Sequence, residues 1–346
     1  MSSTPVIVAQ IGCGYWGPNL LRNFNANKHC FVKYVADPRP ERRRFVEGNY
    51  PRCTVLDDAA GVFADSAVQA VIVSTPAATH FEVAMRALEH GKHVFVEKPL
   101  AMSVGDADKL IAAAAARKLT LMVGHTFLYN SAVRYVKKLL DEGQLGETYY
   151  LYSQRLNLGQ IRSDVNAWWN LAPHDVSILL YLMQGRMPSS IAAKGVDYIQ
   201  PGIEDVVFAT LTWPDKVTAS IQVSWLDPHK IRRMTVVGSR KMVVYDDVSD
   251  DKITIYDKGI DRVPRAGEKM DFDSPNRFQF LQRSGDILLP KLTMTEPLQV
   301  EAGHFLDCVQ SGEEPLTGAR HARDVVAILE AGQQALKSGG SIAIPS

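Results

Sequence analysis

The strongest constraint on this chain lies in six residues, Gly12-Cys13-Gly14-Tyr15-Trp16-Gly17, which follow directly on the apolar run Val6-Ile-Val-Ala-Gln-Ile11. That run is continuous rather than alternating, as a strand covered on both faces of a parallel sheet requires. A helix-compatible stretch follows from Pro18 to about Ala26. The next apolar run, 31–36, ends at Asp37, 20 residues after Gly17. In that setting the glycines do more than turn the chain. Gly12 permits a tight turn, Gly14 lets the backbone approach a pyrophosphate, and Gly17 lets the helix pack close to the strand. The free N–H groups at the helix start, around Tyr15, Trp16 and Gly17, then face phosphates. The Asp37 carboxylate accepts from adenine ribose hydroxyls. The pattern predicts a Rossmann dinucleotide site. A carboxylate at Asp37 repels an extra 2′-phosphate, so NAD is favoured over NADP. Arg39, Arg42, Arg43 and Arg44 stand close enough to accommodate such a phosphate, but read more simply as a solvated helix face.

The strand–helix alternation continues with apolar runs at 71–74, 93–96 and 119–123, and helical stretches at 40–48, 81–90 and 104–118. Such units predict an α/β doubly wound parallel sheet over residues 1–124. After Gly124 the pattern changes. Helices are expected over 132–142 and over 173–183, the latter with Pro173 at an early helical position and Gly185 just past the end. From about Ser190 the chain reads as strands, at 206–213, 216–224, 234–238, 242–246 and 253–256. Turn residues at Trp213-Pro-Asp-Lys216 and Gly238-Ser-Arg-Lys241 make hairpins between them. Residues 125–346 are therefore expected to form an α+β domain with a large, mainly antiparallel sheet. A final helix at 319–337 packs back on the first domain, and a closing strand follows at 341–344.

Composition excludes several function classes. The 346 residues carry 38 basic and 38 acidic side chains, and no block of like charge is longer than Arg42-Arg43-Arg44. Neither a nucleic-acid footprint nor a membrane surface is indicated. No stretch approaches the roughly 20 apolar residues of a membrane helix, and the start of the chain reads as a first strand, not a leader. The four cysteines, Cys13, Cys30, Cys53 and Cys308, form no CxxC pair. Reduced thiols in a cytoplasmic protein are the expectation. The nine histidines show no metal-ligand spacing with cysteine or carboxylate, so no metal site is expected.

The run at 93–96 leads straight into Glu97-Lys98-Pro99-Leu100. Ligands of open parallel sheets sit at the carboxyl ends of strands, so a lysine there can reach the cofactor. With the GxGxxG, Thr75-Pro76 and His80, Glu97-Lys98-Pro99, and His174-Asp175 in the second half, the chain resembles the glucose–fructose oxidoreductase, inositol dehydrogenase and rhizopine-catabolism family over essentially its whole length. The resemblance implies that Lys98 hydrogen-bonds the reacting hydroxyl or carbonyl oxygen and that His174 is the general base. It also places Thr75, Pro76, His80 and Glu97 near the cofactor. His125, at the end of the last Rossmann strand, is a further candidate contact. One departure matters. Inositol-dehydrogenase-like members carry an aspartate four residues before the histidine, where this chain has Asn170, an amide that cannot act as a base.

The segments Gly124-His-Thr-Phe-Leu-Tyr-Asn130 and Asn166-Ala-Trp-Trp-Asn170 resemble the sugar-nucleotide branch of that family, including UDP-N-acetylglucosaminuronate 3-dehydrogenases. This implies oxidation of a secondary pyranose hydroxyl by NAD. A nucleotide-sugar needs cations for its diphosphate and aromatic faces for sugar or base. Arg155, Arg162, Lys230 and Arg232, with Trp168, Trp169 and Trp225 and the amide of Asn170, are the candidates. Alternatives are an inositol or free-sugar dehydrogenase, an NADP-using sugar ketoreductase, an enzyme that recycles bound NAD internally, and a dinucleotide-binding sensor without turnover. An exposed face on the second-domain sheet predicts a homodimer or homotetramer.

Overall fold

The computed structural model describes residues 4–264 and 278–345. Two compact units emerge: Met1–Ser131 with Ala172–Met187 and Met294–Gln334, and Ala132–Leu171 with Pro188–Thr293 and Ala335–Ser346. The division therefore departs from a single break after Gly124. Helical segments from the far end of the chain return to the first unit.

In the first unit the strands β1 (Val6–Ile11), β2 (Cys30–Ala36), β3 (Thr54–Leu56), β4 (Ala70–Val73), β5 (His93–Glu97) and β6 (Leu121–Gly124) form one sheet. Their order is β3-β2-β1-β4-β5-β6 and every pairing is parallel. This is the doubly wound arrangement expected from the sequence, with the strand order reversing between β1 and β4. The connecting helices are α1 (Gly17–Ala26), α2 (Pro40–Asn49), α3 (Ala60–Ala64), α4 (His80–Glu89) and α5 (Val104–Arg117). Strands β4 and β6 are buried along their whole length, which is why their sequences are unbroken apolar runs. β3 is a three-residue edge strand, too short for periodicity to reveal it.

In the second unit α6 (Ser131–Asp141) leads to β7 (Thr148–Leu156). After α7 (Ala167–Leu182) come β8 (Ser190–Val196), β9 (Val206–Thr212), β10 (Thr218–Ser224), β11 (Ile231–Gly238), β12 (Met242–Asp246), β13 (Ile253–Pro264) and β14 (Phe278–Leu288). The helices α8 (Pro297–Ser311) and α9 (Ala319–Ser338) precede β15 (Ser341–Ala343). Among the described residues the sheet order is β14-β13-β12-β11-β7-β10-β9-β8-β15. All its pairings are antiparallel except β7 with β10. β7 and β14 lie outside the stretch the sequence marks as strand. One side of the sheet carries exposed aromatic rings: Tyr150 and Tyr152 stack with centroids 6.3 Å apart, and Phe208 is 53% exposed.

The helix expected at 173–183 starts earlier, at Ala167, with Pro173 inside it. The start is fixed by Asn166, whose side-chain oxygen accepts from the Trp169 N–H at 3.0 Å, an Asn N-cap. Pro173 then has no N–H to give to the ladder, a local break directly before His174. His174 is therefore more than a turn from the helix start, out of reach of the first-turn helix dipole.

α8, absent from the sequence reading, is held in the first unit by three wholly buried rings. Phe24 of α1, Phe95 of β5 and Phe305 of α8 meet edge-on, with centroids 5.6 to 6.1 Å apart. This triangle fixes Glu301, one helical turn before Phe305. Phe305→Ala is expected to cost about 3–5 kcal/mol, read from urea denaturation. A loss below about 1 kcal/mol would show that α8 is not anchored in this way.

Candidate active site

The site is assembled at the carboxyl ends of β1, β4, β5 and β6. At the end of β1, Gly12 adopts φ +91°, and a Cβ there would lie 2.6 Å from the Ser74 carbonyl oxygen. Only glycine fits, because backbone blocks the space. Below the turn, the buried amide of Gln10 donates to the carbonyls of Gly12 and Gly17 at 2.9 and 3.0 Å, and to Ser74 Oγ at 3.2 Å. Ser74 Oγ in turn donates to the Gly12 carbonyl at 2.6 Å. Both ends of the turn are thus tied from beneath. Its upper side stays open: a Cβ on Gly14 would meet only the Arg39 guanidinium, at 3.5 Å. Tyr15 is 86% exposed and Trp16 43%. The cradle fits a dinucleotide pyrophosphate, with N–H groups of the turn and of α1 as donors.

Asp37 is buried, and its carboxylate accepts from the Cys13 N–H at 2.7 Å and the Arg39 N–H at 3.0 Å. The Arg39 fork adds Nε at 3.0 Å and Nη2 at 2.8 Å. Burial raises the Asp37 pKa, but the Arg39 and Cys13 hydrogen bonds outweigh it and hold the carboxyl below its ordinary value. Arg39 stands at the N-cap of α2 and clamps Asp37, unlike the solvated helix face read from sequence. Arg43 donates to the Asp37 and Pro38 carbonyls, while Arg44 is exposed.

At the end of β4, Thr75 Oγ1 accepts from Thr79 Oγ1 at 2.8 Å. His80, wholly buried at the start of α4, places Nδ1 2.7 Å from the Pro99 carbonyl and Nε2 2.9 Å from the Thr75 carbonyl. It clamps the Thr75-Pro76 loop to the Lys98-Pro99 loop. Burial, with the Lys98 ammonium adding to it, holds the His80 pKa below its ordinary value, while the two carbonyls pull the other way. The neutral ring has one N–H to give, so one of the two carbonyls receives it.

Glu97, the last residue of β5, is buried, and one of its oxygens accepts from the Lys98 N–H at 3.3 Å. The Trp16 indole of the glycine turn acts on the same carboxyl and favours its charged form. Burial pushes the Glu97 pKa up to about 7 against the pull of Lys98. Gly124, ending β6, makes room for this side chain: a Cβ there would lie 3.1 Å from Glu97 Oε1. Next to it, Thr126 Oγ1 donates to the fully buried Glu301 of α8 at 2.7 Å. His125 is 1% exposed, and neither ring nitrogen has a hydrogen-bond partner among the described residues. Burial, then His321 and Lys98, push its pKa well below the ordinary value. The His321 ring lies edge-on to it at 5.4 Å and pairs Nε2 with Ser177 Oγ at 2.8 Å. His174 packs edge-on against Phe127, centroids 5.0 Å apart.

Gly12, Gly14, Tyr15, Trp16, Gly17, Asp37, Thr75, Pro76, His80, Glu97, Lys98, His125 and His174 all belong to the first unit. The other candidates belong to the second. Asn170 Oδ1 accepts from Trp225 Nε1 at 3.1 Å. Arg155 is buried in β7, Arg162 forks onto Asp164 at 2.8 and 2.6 Å, and Lys230 is exposed. Trp168, expected as a sugar-stacking face, has no exposed surface and fills the interior instead, as its place in the first turn of the apolar α7 dictates. Sequence reasoning missed Gln10, Ser74, Glu301 and His321. Gln10 is detectable as the one polar residue in an apolar strand. Glu301 falls on the apolar face of α8, three residues after Leu298 and four before Phe305. Among the described residues no cluster could hold a metal ion, and no helix is long and apolar enough to cross a membrane.

The oxidoreductase family model with an NAD-binding Rossmann fold, GFO/IDH/MocA, matches residues 6–125, and the C-terminal domain of the same family matches residues 133–244. The chain belongs to this family. The oxidoreductase is 29% identical over 258 residues to a UDP-N-acetylglucosamine 3-dehydrogenase of Acidithiobacillus ferrooxidans, covering 73% of this chain and 78% of the relative. It is 28% identical to a 2,7-anhydro-N-acetylneuraminate hydratase of Mediterraneibacter gnavus, over 62% of this chain. That match spans 60% of the hydratase's length. The WlbA dehydrogenase of Bordetella pertussis, solved with NADH and UDP-GlcNAcA, shares the fold at TM-score 0.78 and 20% identity, with 99% of each chain covered. The cofactor of the oxidoreductase is NAD.

Removing the Asp37 carboxylate with Asp37→Ala takes away charged hydrogen bonds. NAD affinity should fall about 10- to 100-fold, with NADP discrimination lost. Fluorescence titration of both cofactors measures this, and a preference for NADP in the unaltered protein would contradict the role given to Asp37.

Proposed function

We propose that the enzyme oxidises a secondary hydroxyl of a sugar, most favourably a nucleotide-sugar, or reduces the corresponding ketone. The observation that carries this reading is Lys98 at the carboxyl end of β5, between buried Glu97 and the His80 clamp on Pro99. Bound NAD supplies the hydride acceptor. Lys98 donates a hydrogen bond to the reacting oxygen and favours its alkoxide character, in surroundings where burial strengthens the ammonium's field. His174 takes the hydroxyl proton, its ring oriented by Phe127. Asn170 lies four residues earlier on the same helical face and cannot take a proton, so His174 acts without a carboxylate at that position. The two orphan nitrogens of His125 suit a polar group of the cofactor or substrate.

The sugar-nucleotide choice is supported by the 3-dehydrogenase relative and by the WlbA likeness. In the second unit Arg155, Arg162 and Lys230 remain the cations offered for a diphosphate. The hydratase relative favours one second reading, in which bound NAD is reduced and reoxidised within a turnover, since hydration involves no net redox change. The exposed aromatic side of the large sheet supports a homodimer or homotetramer.

NADH formation at neutral pH, followed by absorbance with UDP-N-acetylglucosamine, UDP-N-acetylglucosaminuronate, myo-inositol and glucose, tests this reading. Turnover of a UDP-sugar with little on the free polyols is expected. The reverse preference moves the enzyme to the inositol class, and product without added NAD supports internal recycling. Lys98→Ala should lower turnover about 10²- to 10³-fold with NAD affinity nearly kept. Unchanged turnover removes Lys98 from the chemistry.

A further inference from the structure

The carboxyl ends of β5 and β6 bring together two buried acids that the hydride chemistry does not use. Glu97 Oε1 lies beside Gly124, where a Cβ would come within 3.1 Å of it. Two residues on, Thr126 donates to Glu301 Oε2. Both acids therefore converge on one turn of chain. The Oε1 atoms of both are buried, and neither has a hydrogen-bond partner among the described residues. Orphan buried oxygens are costly as anions and cheaper as acids.

The groups acting on the pair can be named from each element around it. β5 contributes Lys98, the glycine turn contributes the Trp16 indole, and the turn after β6 contributes the Thr126 hydroxyl. Beyond Lys98 stand His125 and, from α9, His321, the latter pushed down to about 4 by burial, so both rings are neutral. Arg22 of α1, which packs on α8, is taken by Glu296 at 2.5 and 3.0 Å. One ammonium thus acts on the pair, through Glu97. Burial, and then the charge of Glu97, raise the Glu301 pKa well above its ordinary value. Both burial and the charge of Glu97 favour the protonated form of Glu301, so the proton the pair retains rests on Glu301.

We propose that Glu97 and Glu301 form a buried carboxyl pair that keeps one proton on Glu301 above neutral pH, and that NAD+ binding expels this proton whereas NADH binding leaves it in place. The proposal rests on reading this end of the sheet as the nicotinamide end of the cofactor site. Its physical basis is charge. The oxidised nicotinamide is a cation and lowers the cost of a second carboxylate, while the reduced ring is neutral and does not. The O–H bond of Glu301 breaks, its electron pair stays on the carboxylate, and the proton leaves past the half-buried Thr126 hydroxyl to solvent. A ligand that expels a proton binds more tightly as pH rises. NAD+ affinity should therefore rise with pH, up to tenfold per unit, where NADH affinity stays flat.

The test is calorimetric titration of the full-length protein with NAD+ and with NADH at pH 8, in phosphate and in Tris, whose different ionisation heats count released protons. The pair predicts release of between about half and one proton with NAD+ and close to none with NADH. Glu301→Gln fixes the neutral form, so NAD+ should bind more weakly and release no proton. Equal counts for the two cofactor forms overturn the pair, as does full release from Glu301→Gln. The comparison of NAD+ with NADH needs only the unaltered protein and decides the matter even where the variant does not fold. A flat isotherm with both forms overturns the cofactor reading and the pair together, and so differs from binding with equal counts.

Discussion

One side-chain amide sets the geometry on which the rest depends. Gln10, inside a strand that is otherwise apolar, spends its N–H groups on the carbonyls at both ends of the glycine turn and on Ser74. A buried amide left without partners would be costly, so its bonds hold the turn in one shape. The backbone at Ser74 closes off the space a Cβ on Gly12 would need, which joins β1 to β4 where the strand order reverses. From that seam outward, each neighbouring strand end delivers one functional side chain, and His80 ties two of those ends together.

Charge is rationed at this site. Burial lowers the proton affinity of His80, His125 and His321 and raises that of Glu97 and Glu301. All five shifts favour neutral forms. Asp37 keeps its charge because Arg39 and two N–H groups hold it. The ammonium of Lys98 then acts with few competing charges, which is where a fixed cation does most for a developing alkoxide. The arrangement also explains why Glu97 sits so close to the lysine proposed to act on the reacting oxygen without cancelling it, since its charge is incomplete near neutral pH.

The Rossmann half was legible because its signals are local. Buried parallel strands read as apolar runs, and the glycine turn has steric demands that few other sequences meet. The second unit was legible only as strands without order, because the pairing of β7 with both β10 and β11 joins segments far apart in the chain. The start of α7 was misplaced because Pro173 resembles a first-turn proline, while the actual start depends on one Asn166 side-chain bond. Glu301 and His321 escaped notice because their importance arises from segments that return to the first unit from the end of the chain. A long-range return of this kind leaves no mark in local periodicity.

The central claim is that the glycine turn, Lys98 and the buried groups around it serve one nicotinamide. A crystal structure of the NAD+ complex tests this most directly. The reactive ring carbon should lie within about 5 Å of Lys98 Nζ, leaving room for a reacting oxygen between them, with the pyrophosphate on the turn above Gln10. A nicotinamide ring found away from the carboxyl ends of β5 and β6, with Lys98 facing solvent, would contradict the account.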